Sequence, residues 1–310
     1  METPTMEQTA VQPSDTAPAI SAAETARPST SITPQAVSAA ACPTCASAQA
    51  GAQVSSPQCV YVIGHIEPRF PRLSVEQEAR QATARAGGSK ETDRETMAKV
   101  LRDPNNKYLV RQLCWVLSVM GVETYILIPR DGDYQPLIDA YRAEPHPGDL
   151  ELVIGVRGPI ANPDMCNGLL APILIFDQIY AFDRESLLKS IPKPKDEDPK
   201  KFLAAAGEMF DRIIEQSDNA GATDADRALN YLAVRYDRIY SLAADQFTDN
   251  ASFTSIDILP SPLSGTRKIV EVVFSFTNRS TDVVSKYFTR VDVTECFPFL
   301  VTKMGPYYDR

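Results

Sequence analysis

Histidine is scarce in this chain. His65 and His146 are the only two in 310 residues. That excludes metal or catalytic centres built on several imidazoles, and neither histidine has local context that marks it as a general base. No GxxxxGK or GxGxxG occurs, so the common phosphate and dinucleotide cradles are missing. No apolar run approaches the roughly 20 residues that cross a bilayer; LLAPILIF is among the longest. Basic excess is missing too. The formal net charge is −9, which argues against a general nucleic-acid binder and a polybasic membrane anchor. The opening METPTMEQTA has neither a basic n-region nor an apolar h-region, so no signal peptide is expected. A cytoplasmic location follows as an expectation, and with it reduced cysteines rather than disulfides.

Residues 1–41 are rich in Ala, Ser, Thr and Pro, with few charges and almost no aromatics. Such a stretch buries too little apolar surface to offset its ordering entropy, so a disordered tail is expected over 1–58, ending in a CxxC. One folded domain is expected over 59–310. CVYVIGHI reads as a strand, and helices are expected after Ser74 and over 91–102. A third helix is expected from Pro104 to Met120, with Leu109, Leu113, Val116, Leu117 and Met120 as its apolar stripe and Gly121 as C-cap. VETYILI, a short helix over 134–143 and ELVIGV then make a crossover unit whose two strands are expected to be parallel neighbours. PILIFDQIYAF is a further strand, and DRESLLKSI a short helix. IPKPKDEDP reads as a charged linker. Long helices follow at 199–217 and after Thr223, whose Asp226 completes a capping signal. Beyond 250 the period switches to two, as in an antiparallel meander. The fold class is therefore α+β (mixed α/β): a central mixed sheet with a crossover unit, flanking helices and a C-terminal antiparallel meander.

Two sets of residues stand out chemically. Cys42 and Cys45, in CPTC, have the spacing that lets two thiolates share one zinc. A single CxxC is half a site, so the remaining ligands must come from elsewhere. Cys166 is the first candidate, with Cys114 and Cys59 behind it. The other set is the loop between two buried strands, with Arg157, Asp164, Cys166 and Asn167. A polar, Gly/Pro-punctuated loop on rigid strands is where function commonly sits. Cys166 as a nucleophile needs a base in hydrogen-bond reach, and none can be placed beside it. Buried structural cysteine is the stronger reading of that residue.

The stretches YVIGHIEPRFPRLSVEQEARQAT, NKYLVRQLCWVLSVMGVETYILIPRD, VIGVRGPIANPDMCNGLLAPILIFDQIYAFD, DNAGATDADRALNYLAVRY and SGTRKIVEVVFSFTNRSTDVV closely resemble the C-terminal domain of cyanobactin maturation proteases of the PatA/PatG type. The resemblance runs from about Cys59 to Arg310, and CPTC fits the family's lead-in. Complete proteins of that type carry a subtilisin-like protease domain. This chain has no GTS-type serine motif and no matching histidine motif, so protease activity is not implied and no catalytic residue is assigned. The resemblance implies a dimeric, zinc-containing accessory module in the maturation of ribosomally made peptides. Its expected partners are a precursor peptide or peptide-maturation enzymes, with Arg157, Asp164 and Asn167 as a peptide-binding loop. The alternative is a cryptic enzyme acting on a modified precursor peptide through Arg157, Asp164 and Cys166.

Overall fold

The first strand, β1 (Cys59–Arg69), pairs with two different partners along its length. Its first half lies antiparallel to β4 (Asp149–Ile160), with Cys59 opposite Val156 and Gly64 opposite Glu151. Its second half lies antiparallel to β2 (Cys114–Val119), with His65 opposite Ser118 and Arg69 opposite Cys114. β2 turns through Met120 and Gly121 into β3 (Val122–Pro129). β3 runs parallel to β5 (Pro172–Asp183), and β5 runs antiparallel to β4. The order β1-β2-β3-β5-β4 closes on itself as a five-stranded barrel. This is the strand arrangement of an OB-type Greek-key barrel. These strands belong to a computed structural model that describes residues 58–87, 91–192, 198–215 and 219–308. The expected tail, its CPTC and most of the charged linker, 193–197, lie outside the described residues.

Alternation on the strands sorts the cores. Val60 and Val62 point into the barrel with Trp115, Leu117, Tyr125, Leu127, Val153 and Leu174. Helices α1 (Leu73–Ala86), α2 (Asp93–Arg102), α3 (Lys107–Gln112) and α4 (Gln135–Ala140) add Val75, Met97, Leu109 and Leu137 to the same cluster. Tyr61 and Ile63 point the other way, with Leu152 and Ile154 of β4. They pack on a layer made of α5 (Arg184–Ser190), α6 (Pro199–Ile214), α7 (Asp224–Arg235) and α8 (Arg238–Thr248). The far side of that layer holds the meander β6 (Ala251–Pro260), β7 (Ile269–Asn278), β8 (Val284–Asp292) and β9 (Phe299–Pro306), paired in that order. Barrel, helical layer and meander share one core, in which Phe202, Phe210, Leu232, Tyr240 and Phe274 are buried.

The fold class and the meander stand as read from the sequence, and so does the Thr223/Asp226 capping box of α7. Two readings are corrected. The helix expected through 104–120 stops at Gln112, and Cys114–Val119 is a strand. Its apolar spacing suits a helix, but alternation of Trp115 and Leu117 inward with Cys114 and Val116 outward suits a barrel strand equally well. Met120 and Gly121, both at positive φ, form the two-residue hairpin turn and not a C-cap. The crossover unit also differs. β3 finds its parallel neighbour in β5, whereas β4 is antiparallel to both its partners. Closure decides this, because β4 must seal the barrel against β1.

Split pairing leaves backbone groups of β1 without a ladder partner. The Tyr61 N–H donates to the Gly221 carbonyl at 2.9 Å, and Asn230 of α7 donates to the Tyr61 carbonyl at 2.8 Å. Asn230 and Asn219 are buried and bond each other at 2.8 and 3.0 Å. Gly221 has φ +68, and a Cβ there would meet the Tyr61 carbonyl oxygen at 2.5 Å, so glycine is required on both counts. Asn230→Ala strands the Tyr61 carbonyl and the Asn219 amide in the core, each costing about 1–3 kcal/mol. Urea unfolding should show a loss of roughly 2–4 kcal/mol. A loss of only a few tenths would mean that the layer does not depend on this bond.

Candidate functional site

The loop predicted to carry function joins β4 to β5. Asn162 caps a single 3₁₀ turn over Pro163–Met165, accepting from the Asp164 N–H at 3.2 Å. Asn167 and Gly168 take left-handed conformations, φ 48 and φ 85, which suit Asn and Gly. Asp164 and Asn167 are exposed. Arg157, also exposed, bonds Gln58 through both backbone and side chain. The three residues are thus on the surface, as a binding loop requires.

The cysteines differ from expectation. Cys166 is bonded to Cys114, and Cys59 to Cys296. Cys166 and Cys114, expected as reduced zinc ligands, are instead joined to each other in a disulfide. A sulfur in a disulfide is not a thiolate, and the thiolate is both the zinc ligand and the nucleophile. The same bond removes the reading in which Cys166 acts as a nucleophile; the residue is fully buried. Among the described residues no group of three or more His, Cys, Asp and Glu side chains is placed to hold a metal ion. Cys42 and Cys45 lie outside those residues. A zinc held by that pair would need ligands other than Cys114 and Cys166. The expectation of reduced cysteines set both disulfides aside, and pairs 237 and 52 residues apart leave no local spacing that would have signalled them.

A second candidate lies at the other half of β1. An open cleft of about 780 Å³ sits between the end of β1, α1 and α2. Phe70, Ala79, Met97 and Tyr141 supply apolar walls; Glu67, Glu76, Arg80, Asp93 and Arg94 supply charge. Arg94 is fixed from three sides. Its Nε donates to the Arg142 carbonyl at 2.8 Å, its Nη1 pairs with Glu67 at 2.9 Å, and its guanidinium stacks 4.3 Å from the Tyr141 ring centre. Arg80 pairs with Glu76 at 2.6 Å.

Near this cleft is the most unusual titratable group of the barrel. Glu151 is 4% exposed and accepts from the Ile66 N–H at 3.1 Å. It faces the same way as Val153, into the barrel end. Burial pushes its carboxyl up to about 7, against the Ile66 hydrogen bond and the cations Arg142 and Arg94, with Glu67 adding to the rise. A carboxyl poised near neutrality, beside a cleft and in the field of its charges, is the physical mark of a functional candidate. It can hold or release a proton at neutral pH. Sequence reasoning passed over it, although a glutamate between Leu150 and Leu152 in an otherwise apolar strand was the available signal.

The geometry defines an OB-type barrel joined to a helix-and-meander half, with a mixed polar and apolar cleft. Comparison with known proteins places that architecture. Residues 196–307 match the family model described as PatG C-terminal. A solved structure titled "PatG Domain of Unknown Function" matches with a TM-score of 0.63 at 18% identity, covering 81% of this chain and 99% of that one. No curated protein matches. The resemblance read from the sequence is shown by the family model over α6 to α8 and the meander, and the solved structure shares the fold. At this identity the structural likeness concerns the fold.

The Glu151 carboxyl carries a pH signature. Its folded pKa lies above the unfolded value of 4.5, so the native state binds the proton more tightly. Below pH 4.5 both states are protonated and nothing is lost. As pH rises from 4.5 through about 7, ionisation weighs on the folded state, by roughly 3–4 kcal/mol in all. Glu151→Gln keeps an acceptor for Ile66 without the charge. Unfolding of both proteins followed from pH 4.5 to 8 should show the variant gaining on wild type across that window. A constant difference would contradict the buried, raised carboxyl.

Proposed function

We propose that this protein is a non-catalytic accessory module in the maturation of ribosomally synthesised, cyanobactin-like peptides, and that it binds a precursor peptide or a maturation enzyme. The observation that carries the reading is the shared fold with a PatG domain together with the family match over 196–307. The cleft beside α1 and α2 is the peptide seat that the geometry favours. It is open, of a size for a few side chains, and offers apolar walls next to fixed ionic groups. Tyr141 supplies a rigid amphipathic wall and Arg94 a pre-oriented fork, the types that anchor peptide interfaces. The exposed Arg157, Asp164 and Asn167 loop is a secondary contact in this reading. A homodimer and a zinc at Cys42 and Cys45 belong to the same proposal as far as it rests on the PatG resemblance.

Binding is measured by fluorescence anisotropy with a labelled cyanobactin-type precursor peptide. Tyr141→Ala and Arg94→Ala are expected to weaken it by roughly tenfold or more each, as buried anchors do, while Asp164→Ala has a smaller effect. Equal affinity in all three variants would remove the cleft as the seat. Turnover of the precursor by the purified protein alone would overturn the non-catalytic reading.

A further inference from the structure

Among the described residues, no α-helix contributes to the apolar cluster on the outer face of the barrel at β2, β3 and the start of β5. Val116 of β2 and Ile126 of β3 nonetheless lie at 2% and 1% exposure. They are buried by the β4–β5 connection, residues 161–171. Ala161, Cys166 and Ala171 form one small cluster with Cys114, Val116 and Ile126, and Met165, Leu169 and Ile173 pack at its margin. The fully buried side chains that this loop contributes are Ala, Ala and Cys, so the apolar surface it buries is modest. Its backbone hydrogen bonds run within the loop: Ala161 to Ala171 at 2.9 Å, Met165 to Asn162 at 2.9 Å, Gly168 to Pro163 at 2.8 Å and Leu169 to Cys166 at 3.1 Å. What joins its middle to the barrel covalently is the Cys114–Cys166 disulfide. In OB-type barrels the face of strands 2 and 3, flanked by the β4–β5 connection, is where ligands are held. Here that connection lies over the face.

We propose that the 161–171 loop is a latched cover, that the Cys114–Cys166 disulfide is its catch, and that a dithiol reductant releases it to open the β2–β3 face. The chemistry is thiol–disulfide exchange. A thiolate of the reductant attacks one cystine sulfur, and the other leaves as a thiolate. The second thiol of the reductant then closes its own disulfide and frees the remaining cysteine. Two electrons pass from dithiol to cystine, and the two protons of the dithiol end on Cys114 and Cys166. Because both sulfurs are buried, reduction waits on opening of the loop, whose exposed tip is Asn167–Gly168. Once released, the loop retains only its internal turns and a thin apolar contact. The surface it uncovers is a strip of Val116, Ile126 and Ile173.

The full chain, isolated without reductant, is treated with dithiothreitol. Alkylation with mass spectrometry reports which pair is open, and hydrogen exchange reports on 161–171 and, as reference, on 228–233 in α7. Opening of Cys114–Cys166 should speed exchange in 161–171 by roughly tenfold or more, raise the fluorescence of an added hydrophobic dye, and leave 228–233 unchanged. The Cys114→Ala/Cys166→Ala double variant, with Cys59–Cys296 intact, should show the same loop exchange with no reductant present. Three results overturn the proposal. Cys114 and Cys166 are free thiols in the protein as isolated; or the loop keeps its protection after verified reduction; or 228–233 loses protection together with the loop. If the double variant does not fold, reduced wild-type protein decides among these outcomes.

Discussion

The architecture turns on the split pairing of one strand. β1 is eleven residues long and belongs to two ladders, with Gly64 at the crossing. A Cβ on Gly64 would meet the Ser118 carbonyl oxygen at 2.4 Å, so the switch is possible only at a glycine. Each half of the strand then has an edge that no barrel strand covers. Backbone groups buried without partners are costly enough to forbid this arrangement unless something else bonds them. The first half is served by Gly221 and Asn230 from the helical half of the protein, the second by the Glu151 carboxylate at Ile66. The barrel therefore does not satisfy itself. Its ladders borrow an acceptor from Gly221, a donor from Asn230 of α7 and an acceptor from the Glu151 side chain of β4, and the first two bind the barrel to the C-terminal half.

The same constraint accounts for the poised carboxyl. An uncharged acceptor at 151 would satisfy Ile66 without the electrostatic cost. A glutamate there carries a buried charge that Arg94 and Arg142 only partly compensate. Arg94 in turn is fixed by Glu67, the Arg142 carbonyl and Tyr141, all at the cleft. The split pairing of β1, the proton on Glu151 and the fixed Arg94 at the cleft are consequently linked through one network.

Much of this was legible in the sequence where one period dominates. The long helix at 199–214, the capping box at Thr223 and the alternation of Val270, Val272, Phe274 and Phe276 in β7 all declare themselves. Residues 114–119 do not, because Val116 and Leu117 satisfy a helical stripe as readily as a strand. Local sequence cannot choose between them; barrel closure does. Pairing order is likewise a global property, and so the β3–β5 neighbourhood was missed. For the candidate sites, the polar loop was visible through its Gly, Pro and Asn. The state of Cys166 was misread because reduced cysteines were expected and its partner, Cys114, sits 52 residues away. The cleft was invisible because its walls come from β1, α1, α2 and Tyr141, none of which reads as functional alone.

The position of Cys59 follows from the same logic. The Cys59–Cys296 bond fixes the first residue of β1 to the β8–β9 connection, two residues before the Tyr61 groups that Gly221 and Asn230 hold. A link across 237 residues restricts the unfolded chain strongly. In the folded state it acts on the same short stretch of β1 as the Asn230 bond, and from the same C-terminal half of the chain. Two restraints on one stretch are not independent: with either in place, loss of the other is partly masked, and their joint removal costs more than the separate losses added together. At the start of β1 the ladder to β4 covers one edge only. This is also the point where the covalent and hydrogen-bonded ties to the C-terminal half converge.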